Sequence, residues 1–189
     1  MKSPLYWSGS LYSAGIAMMH GRDLQSRYRY ISKLSGASVL DVGCGTGKLV
    51  SHLPKGCHYL GIDLNDRFLH HAKKRGRNVL KQDALSFDRY SEFEVCVIMD
   101  VLHHITPHHR DFLKRVLNET QKRVIVCEPV AVPGRHPVMN SLIKMMDDDG
   151  INSQEEEWMD KKTLIDFYAS FKPSRVDELG QAMIAVYEK

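Results

Sequence analysis

The stretch Val39–Val50, VLDVGCGTGKLV, constrains this chain more than any other. An apolar run (Val39, Leu40, Val42) ends in glycines at alternate positions, Gly43, Gly45 and Gly47, and Lys48-Leu49-Val50 then opens a helix. Glycine reaches positive φ at little cost and leaves no Cβ in the path of a ligand. The first N–H groups of a helix have no partner within it and suit polar ligand atoms. Strand, glycine turn and helix start together predict a ligand seat at the carboxyl end of a parallel strand, where open α/β sheets bind their ligands.

Spacing narrows the ligand. A phosphate-binding P-loop requires G-x-x-x-x-G-K-[ST]. Here Val42 stands five residues before Gly47 and Leu49 follows Lys48, so that pattern fails. A dinucleotide fingerprint requires G-x-G-x-x-G. Here the glycines run G-x-G-x-G, one residue short, with Asp41 ahead of them.

Around this stretch, strand and helix patterns alternate. Arg22 to Lys33 reads as a helix with Leu24, Tyr28 and Ile31 at helical spacing, ended by Gly36. Strand 38–42 leads through the glycines to a helix over about 46–52, stopped by Pro54. Strand 57–62 ends at Asp63, and a helix over about 65–75 follows, with Asn65 or Asp66 as its cap. Strand 78–81 ends near Asp83. Strand 93–99, FEVCVIM, is a near-continuous apolar run, as expected of a strand buried on both faces. A helix over about 108–119 and a strand over 123–127 complete the alternation, which predicts a parallel sheet with helices on both sides. Beyond it lie three prolines (Pro129, Pro133, Pro137), a Met-rich helix over about 138–146, an acidic stretch, and a helix from 160 or 161 to 171. The chain then closes with two short strands around Gly180-Gln181, a hairpin signature.

Length and composition fit one domain: 189 residues, with a net charge of only +3. Lysines and arginines are dispersed apart from Lys73-Lys74-Arg75 and Arg77, which read as the solvated end of a helix, where cations suit the dipole, rather than a nucleic-acid footprint. No apolar run is long enough to span a bilayer and no signal peptide is visible. The four cysteines (Cys44, Cys57, Cys96, Cys127) form no C-x-x-C, and the last three fall in expected strands, which points to a reduced, cytoplasmic setting. The segment HHITPHH (103–109) invites a metal reading, but adjacent histidines point apart and no Cys or Glu stands at ligand spacing, so no metal is expected.

The pattern D-x-G-x-G-x-G resembles motif I of the class I S-adenosylmethionine-dependent methyltransferases, and its neighbours over residues 38–129 fit too. The resemblance implies an α/β, Rossmann-like doubly wound sheet of seven strands, mostly parallel, with a C-terminal antiparallel hairpin strand. It implies S-adenosylmethionine as cofactor, with S-adenosylhomocysteine as product. Asp41, Gly43, Cys44, Gly45, Thr46 and Gly47 match the turn that packs on the methionine end and ribose. Asp63, with Leu64 after it, matches the acid that takes both ribose hydroxyls, where a carboxylate gives charge-assisted acceptance. Asp83 and Ala84 match the adenine contacts. Asp100 falls where the family places a carbonyl or acid near the cofactor's amino group.

Asp100-Val101-Leu102-His103-His104-Ile105 resembles the "LHH" form of the segment after strand 4 in small-molecule methyltransferases. Methyl transfer from a sulfonium is a displacement on an activated donor, so the protein mainly aligns the partners. An oxygen or carbon acceptor also needs a proton removed, and a histidine near neutrality suits that. His103 or His104 is therefore the expected base, while Glu128 reads as a lone structural carboxylate. The expected layout is one domain: an N-terminal arm and helix (1–35), a cofactor core (38–129), a substrate cap (130–171) and a hairpin (172–189). The arm's Tyr6, Trp7 and Tyr12 either belong to a partly ordered terminal arm or cover the cofactor or line the substrate entrance. A small-molecule acceptor is expected, nucleic acid is not, and oligomeric state stays open. The rivals are a methyltransferase of RNA or protein and a non-catalytic cofactor-binding module. Residues DVLH stand where an amino-methylating N-P-P-Y motif would be, which disfavours base-amino methylation.

Overall fold

The apolar run Val95–Met99 (β4) lies at the centre of the sheet, with strands on both edges and side chains buried on both faces. The computed structural model describes residues 23–130 and 159–189. The aromatic N-terminal segment, the Met-rich helix expected over 138–146 and most of the expected cap lie outside the described residues. The remaining strands are β1 (Ser38–Val42), β2 (His58–Asp63), β3 (Val79–Lys81), β5 (Arg123–Pro129), β6 (Arg175–Leu179) and β7 (Ala182–Glu188). They form one seven-stranded sheet in the order β3-β2-β1-β4-β5-β7-β6. Strands β1 to β5 pair in parallel, and β7 runs antiparallel between β5 and β6. The Rossmann-like α/β architecture with a terminal antiparallel hairpin is as the motifs imply.

Two apolar layers cover the sheet, because neighbouring strand residues point to opposite faces. Val39 joins a cluster with Leu24, Tyr28, Ile31, Leu49 and Leu69, under helices α1 (residues 23–33) and α2 (Asp66–Lys73). Leu40 and Val42 join the other cluster, with Phe112, Leu113, Val116, Leu164 and Phe167 from α3 (His109–Glu119) and α4 (Lys161–Ala169). Asn65 caps α2 by accepting from the N–H groups of Arg67 and Phe68, and Asp160 caps α4 through Thr163. The strand order reverses between β1 and β4, which opens a crevice outside their carboxyl ends.

Two local expectations are corrected. The helix after the glycine turn is a five-residue 3-10 helix, Lys48–His52. Gly47 enters it at φ 70° and Leu53, restricted by Pro54, leaves it extended, so no second α-turn has room to form. Cys57 stands just before β2 and is half-buried rather than a strand residue.

Candidate active site

Five strand ends deliver the residues singled out by the sequence to one edge. The glycine turn packs directly on its neighbours. Cys44 N–H donates to the Ile62 carbonyl (3.0 Å), and a Cβ on Gly61 would stand 2.7 Å from the Cys44 Sγ. A Cβ on Gly43, itself at φ +65°, would stand 2.3 Å from the Val101 Cγ2. Glycine is therefore required at 43 both for its conformation and to let the turn meet the segment after β4.

Asp63, at the end of β2, ties the turn to the next element: its carboxylate accepts from the N–H of Gly45 (2.7 Å) and of Asn65 (2.8 Å). A carboxylate has about four lone-pair sites, and these two donors take one on each oxygen. Leu64 beside it is an exposed large apolar residue at 38%. Asp83 accepts from the Leu85 N–H (2.8 Å). The Ala84 carbonyl is taken by the Tyr90 hydroxyl and the Arg115 guanidinium, both at 2.8 Å, so any backbone contact to a ligand there falls to its N–H.

Asp41 is buried beneath the turn, where the Tyr59 hydroxyl donates to it (2.7 Å). Burial raises its pKa to about 7, against the lowering effect of that hydrogen bond and with a further push from Asp63. This side chain supports the turn from below. Thr46 is buried as well, and its carbonyl accepts from Arg77.

Asp100 follows β4 at φ 57° and pairs with Arg27 of α1 (3.1 Å), which also reaches Asp23 (2.6 Å). Burial works against the charged guanidinium, but Asp100 and Asp23 more than offset it and hold the Arg27 pKa above its ordinary value. Sequence reading passed over Arg27. Its signal was positional, since 27 shares the inner helical stripe with Leu24, Tyr28 and Ile31.

The largest change concerns Glu128. It is not a lone carboxylate but a buried one with three donors, 3% exposed. One oxygen accepts from the Val101 and Leu102 N–H groups (2.8 and 2.9 Å), and the other lies 2.6 Å from His103 Nδ1. Burial would raise the Glu128 pKa, but His103 and the two backbone donors outweigh it and the pKa falls. An ionised Glu128 accepts only, so Nδ1 of His103 carries the hydrogen and Nε2 is the nitrogen able to take a proton. His103 is buried, in the 3-10 helix Leu102–Ile105. The His104 ring lies 4.1 Å from it and is half-buried. His108 precedes α3 on the surface, and His109 packs on Phe167. Among the described residues, no three His, Cys, Asp or Glu side chains converge as metal ligands.

Strand order, glycine turn and the acids after β2 and β3 define the fold of the class I methyltransferases. Residues 39–122 match the family model described as a methyltransferase domain. It is 32% identical over 77 residues to the tRNA (carboxymethyluridine(34)-5-O)-methyltransferase of Arabidopsis thaliana, covering 40% of this chain and 19% of that protein. It is 35% identical over 83 residues to the ubiquinone biosynthesis O-methyltransferase of Methylococcus capsulatus, covering 39% of this chain and 35% of the relative. The chain thus spans about a third or less of the length of these relatives. Among solved structures it resembles magnesium protoporphyrin IX methyltransferase of Synechocystis with bound S-adenosylhomocysteine. The TM-score is 0.66 at 16% identity, over 90% of this chain and 84% of that one, a likeness of fold. No described helix is long and apolar enough to cross a membrane.

Proposed function

We propose that this chain transfers a methyl group from S-adenosylmethionine to an acceptor hydroxyl, with His103 as general base. The observation that carries the reading is the buried Glu128–His103 contact of 2.6 Å, next to the Val101 that packs on the glycine turn. When bound, the cofactor supplies a methyl on a sulfonium, already activated for displacement. Gly43, Cys44, Gly45, Thr46 and Gly47 would line its methionine end, over Asp41. Asp63 would take the ribose hydroxyls, Leu64 would cover the adenine face, and Asp83 with Ala84 would meet the adenine edge. Asp100 would lie by the amino group. The protein's own part is orientation and proton removal. Glu128 fixes the hydrogen at Nδ1, so Nε2 of His103 accepts the hydroxyl proton as the oxygen attacks. Burial of His103 keeps competing water away. His104 packs against that ring and is assigned no proton transfer.

A small-molecule acceptor is the first reading, supported by the name of the ubiquinone biosynthesis relative. The name of the plant relative and a cation cluster described below favour a second, an RNA acceptor. The four described cysteines are free, which supports a reduced, cytoplasmic setting. The test is His103→Ala against a panel of hydroxyl and amine acceptors. Turnover of the hydroxyl acceptor should fall by about 10²- to 10⁴-fold, the usual worth of a general base, with S-adenosylhomocysteine affinity unchanged. Unchanged turnover refutes the role.

A further inference from the structure

The cations near the end of α2 form a cluster larger than the sequence run suggests. Arg77 folds back along Gly47, its Cδ 3.0 Å from where a Cβ would stand, and donates to the Thr46 carbonyl and the Ser51 hydroxyl. That brings Arg77 to the 3-10 helix that begins with Lys48. Arg75 reaches back to the His71 carbonyl (3.5 Å). Lys48, His71, Lys74, Arg75 and Arg77 thus converge from two segments. Burial comes first in lowering the pKa of Lys48, His71 and Arg77, and neighbouring cations lower each one further.

Elsewhere cations of this domain often sit on carboxylates: Lys81 on Asp66 (2.5 Å), Lys122 on Glu94 (2.7 Å), Lys161 on Glu178 (2.6 Å) and the half-buried Arg123 on Glu188 (2.7 Å). Among the described residues no carboxylate pairs with Lys74, Arg75 or Arg77. Support of the helix end accounts for Lys74, the C-cap of α2, and for Arg75, which reaches a last-turn carbonyl, but not for Lys48 in the 3-10 helix or for Arg77 against Thr46.

We infer that the surface formed by Lys48, His71, Lys74, Arg75 and Arg77 docks the phosphate backbone of an RNA strand. A nucleic-acid strand carries a charge about every 3.4 Å of its axis, dense enough to answer several converging cations at once. Guanidinium forks match phosphate oxygens two at a time. RNA rather than DNA follows from the hydroxyl reading of His103, since RNA carries hydroxyls beside every phosphate; on that point the inference rests on the proposed function.

The test uses the full chain and a fluorescent single-stranded oligouridine, with anisotropy read across a salt series. Arg77 is left alone because it holds the glycine turn. The double variant K74E/R75E should weaken binding roughly tenfold or more and flatten the salt slope by about 0.7 for each phosphate that is no longer neutralised. Its S-adenosylhomocysteine affinity should match wild type, which shows that the variant is folded. No binding of oligouridine at low salt, or binding that K74E/R75E leaves intact, overturns the inference. So does binding of polyglutamate with none of oligouridine, which would assign the surface to an acidic protein. None of these outcomes touches the methyl-transfer reading, which stands or falls with His103→Ala.

Discussion

Glu128→Gln separates catalysis from stability more cleanly than any other change at this site. One carboxylate oxygen serves the Val101 and Leu102 N–H groups and the other serves His103 Nδ1. Gln has the same shape but one acceptor oxygen. If that oxygen stays with the two backbone donors, its NH₂ faces Nδ1, and His103 must move its hydrogen to Nε2. The base then carries its proton on the wrong nitrogen. General-base catalysis is worth about 10² to 10⁴ in rate, and kcat should fall by that factor. The variant loses one charge-assisted hydrogen bond, about 1.5–3 kcal/mol, but is relieved of burying a charge, so stability should drop by only about 1–2 kcal/mol. Glu128→Ala is less informative, because two buried backbone N–H groups would be stranded at about 1–3 kcal/mol each. The assay is threefold: kcat and KM on a hydroxyl acceptor, S-adenosylhomocysteine affinity by calorimetry, and the His103 tautomer from imidazole ¹⁵N shifts. A merely structural Glu128 would change stability without moving the tautomer. Wild-type kcat together with hydrogen retained at Nδ1 would refute the reasoning.

Four other outcomes are expected. Asp63→Ala should weaken S-adenosylhomocysteine binding by at least about tenfold, since a charge-assisted acceptor is worth about 1.5–3 kcal/mol; calorimetry reads it, and unchanged affinity sinks the ribose assignment. Gly43→Ala should cost about 2–4 kcal/mol in denaturant unfolding, from a positive φ and a Cβ 2.3 Å from Val101; wild-type stability would refute the tight packing of the turn on Val101. Arg27→Met should destabilise by about 2 kcal/mol or more by stranding Asp23 and the partly exposed Asp100 beside an apolar side chain; full stability of the variant would show that the pair is idle. Asp41 predicts a pH dependence. Its folded pKa of about 7 lies above the ordinary carboxylate value, so the unfolded chain ionises first as pH rises. Stability should therefore be lost between about pH 4 and 7, at up to about 1.4 kcal/mol per pH unit, and level off above that. Asp41→Asn, which still accepts from Tyr59, should remove that slope in urea melts taken across the range.

The parts of the fold that were legible in the sequence are those fixed by a local rule. Strand β4 declared itself by an unbroken apolar run, α2 by its cap, and the hairpin by Gly180-Gln181. Asp63 and Asp83 were legible because each ends a strand and the strand ends converge. What stayed hidden depends on pairing across the sheet. Glu128 meets His103 only because Met99 and Cys127 stand side by side in β4 and β5, which carries both chain ends over the same edge. Nothing within either segment encodes that register. The same holds for Arg27 with Asp100, separated by 73 positions, and for Arg77 with Thr46, separated by 31. The short helix after the turn failed for a different reason: propensity favoured an α-helix, while Gly47 and Pro54 left it five residues.

These hidden contacts share a direction. Arg27 reaches the residue that follows β4, Glu128 holds the two peptides and the imidazole after it, and Val101 between them fills the space left by Gly43. The segment Asp100–His103 is thus gripped from α1, from β1 and from β5, although it is a connection with one residue at positive φ. A loop crossing a sheet edge is ordinarily the adjustable part of such a fold. Here it is fixed by the buried Glu128 contacts, by the partly buried Arg27–Asp100 pair and by Val101 packed at Gly43, and the polar contacts would cost free energy if left unpaired. That investment is poorly explained by stability, since apolar packing would serve as well at lower risk. It is explained if one nitrogen of His103 must be held within hydrogen-bond reach of an acceptor hydroxyl while that oxygen lines up with the methyl group, as a base-assisted in-line transfer requires.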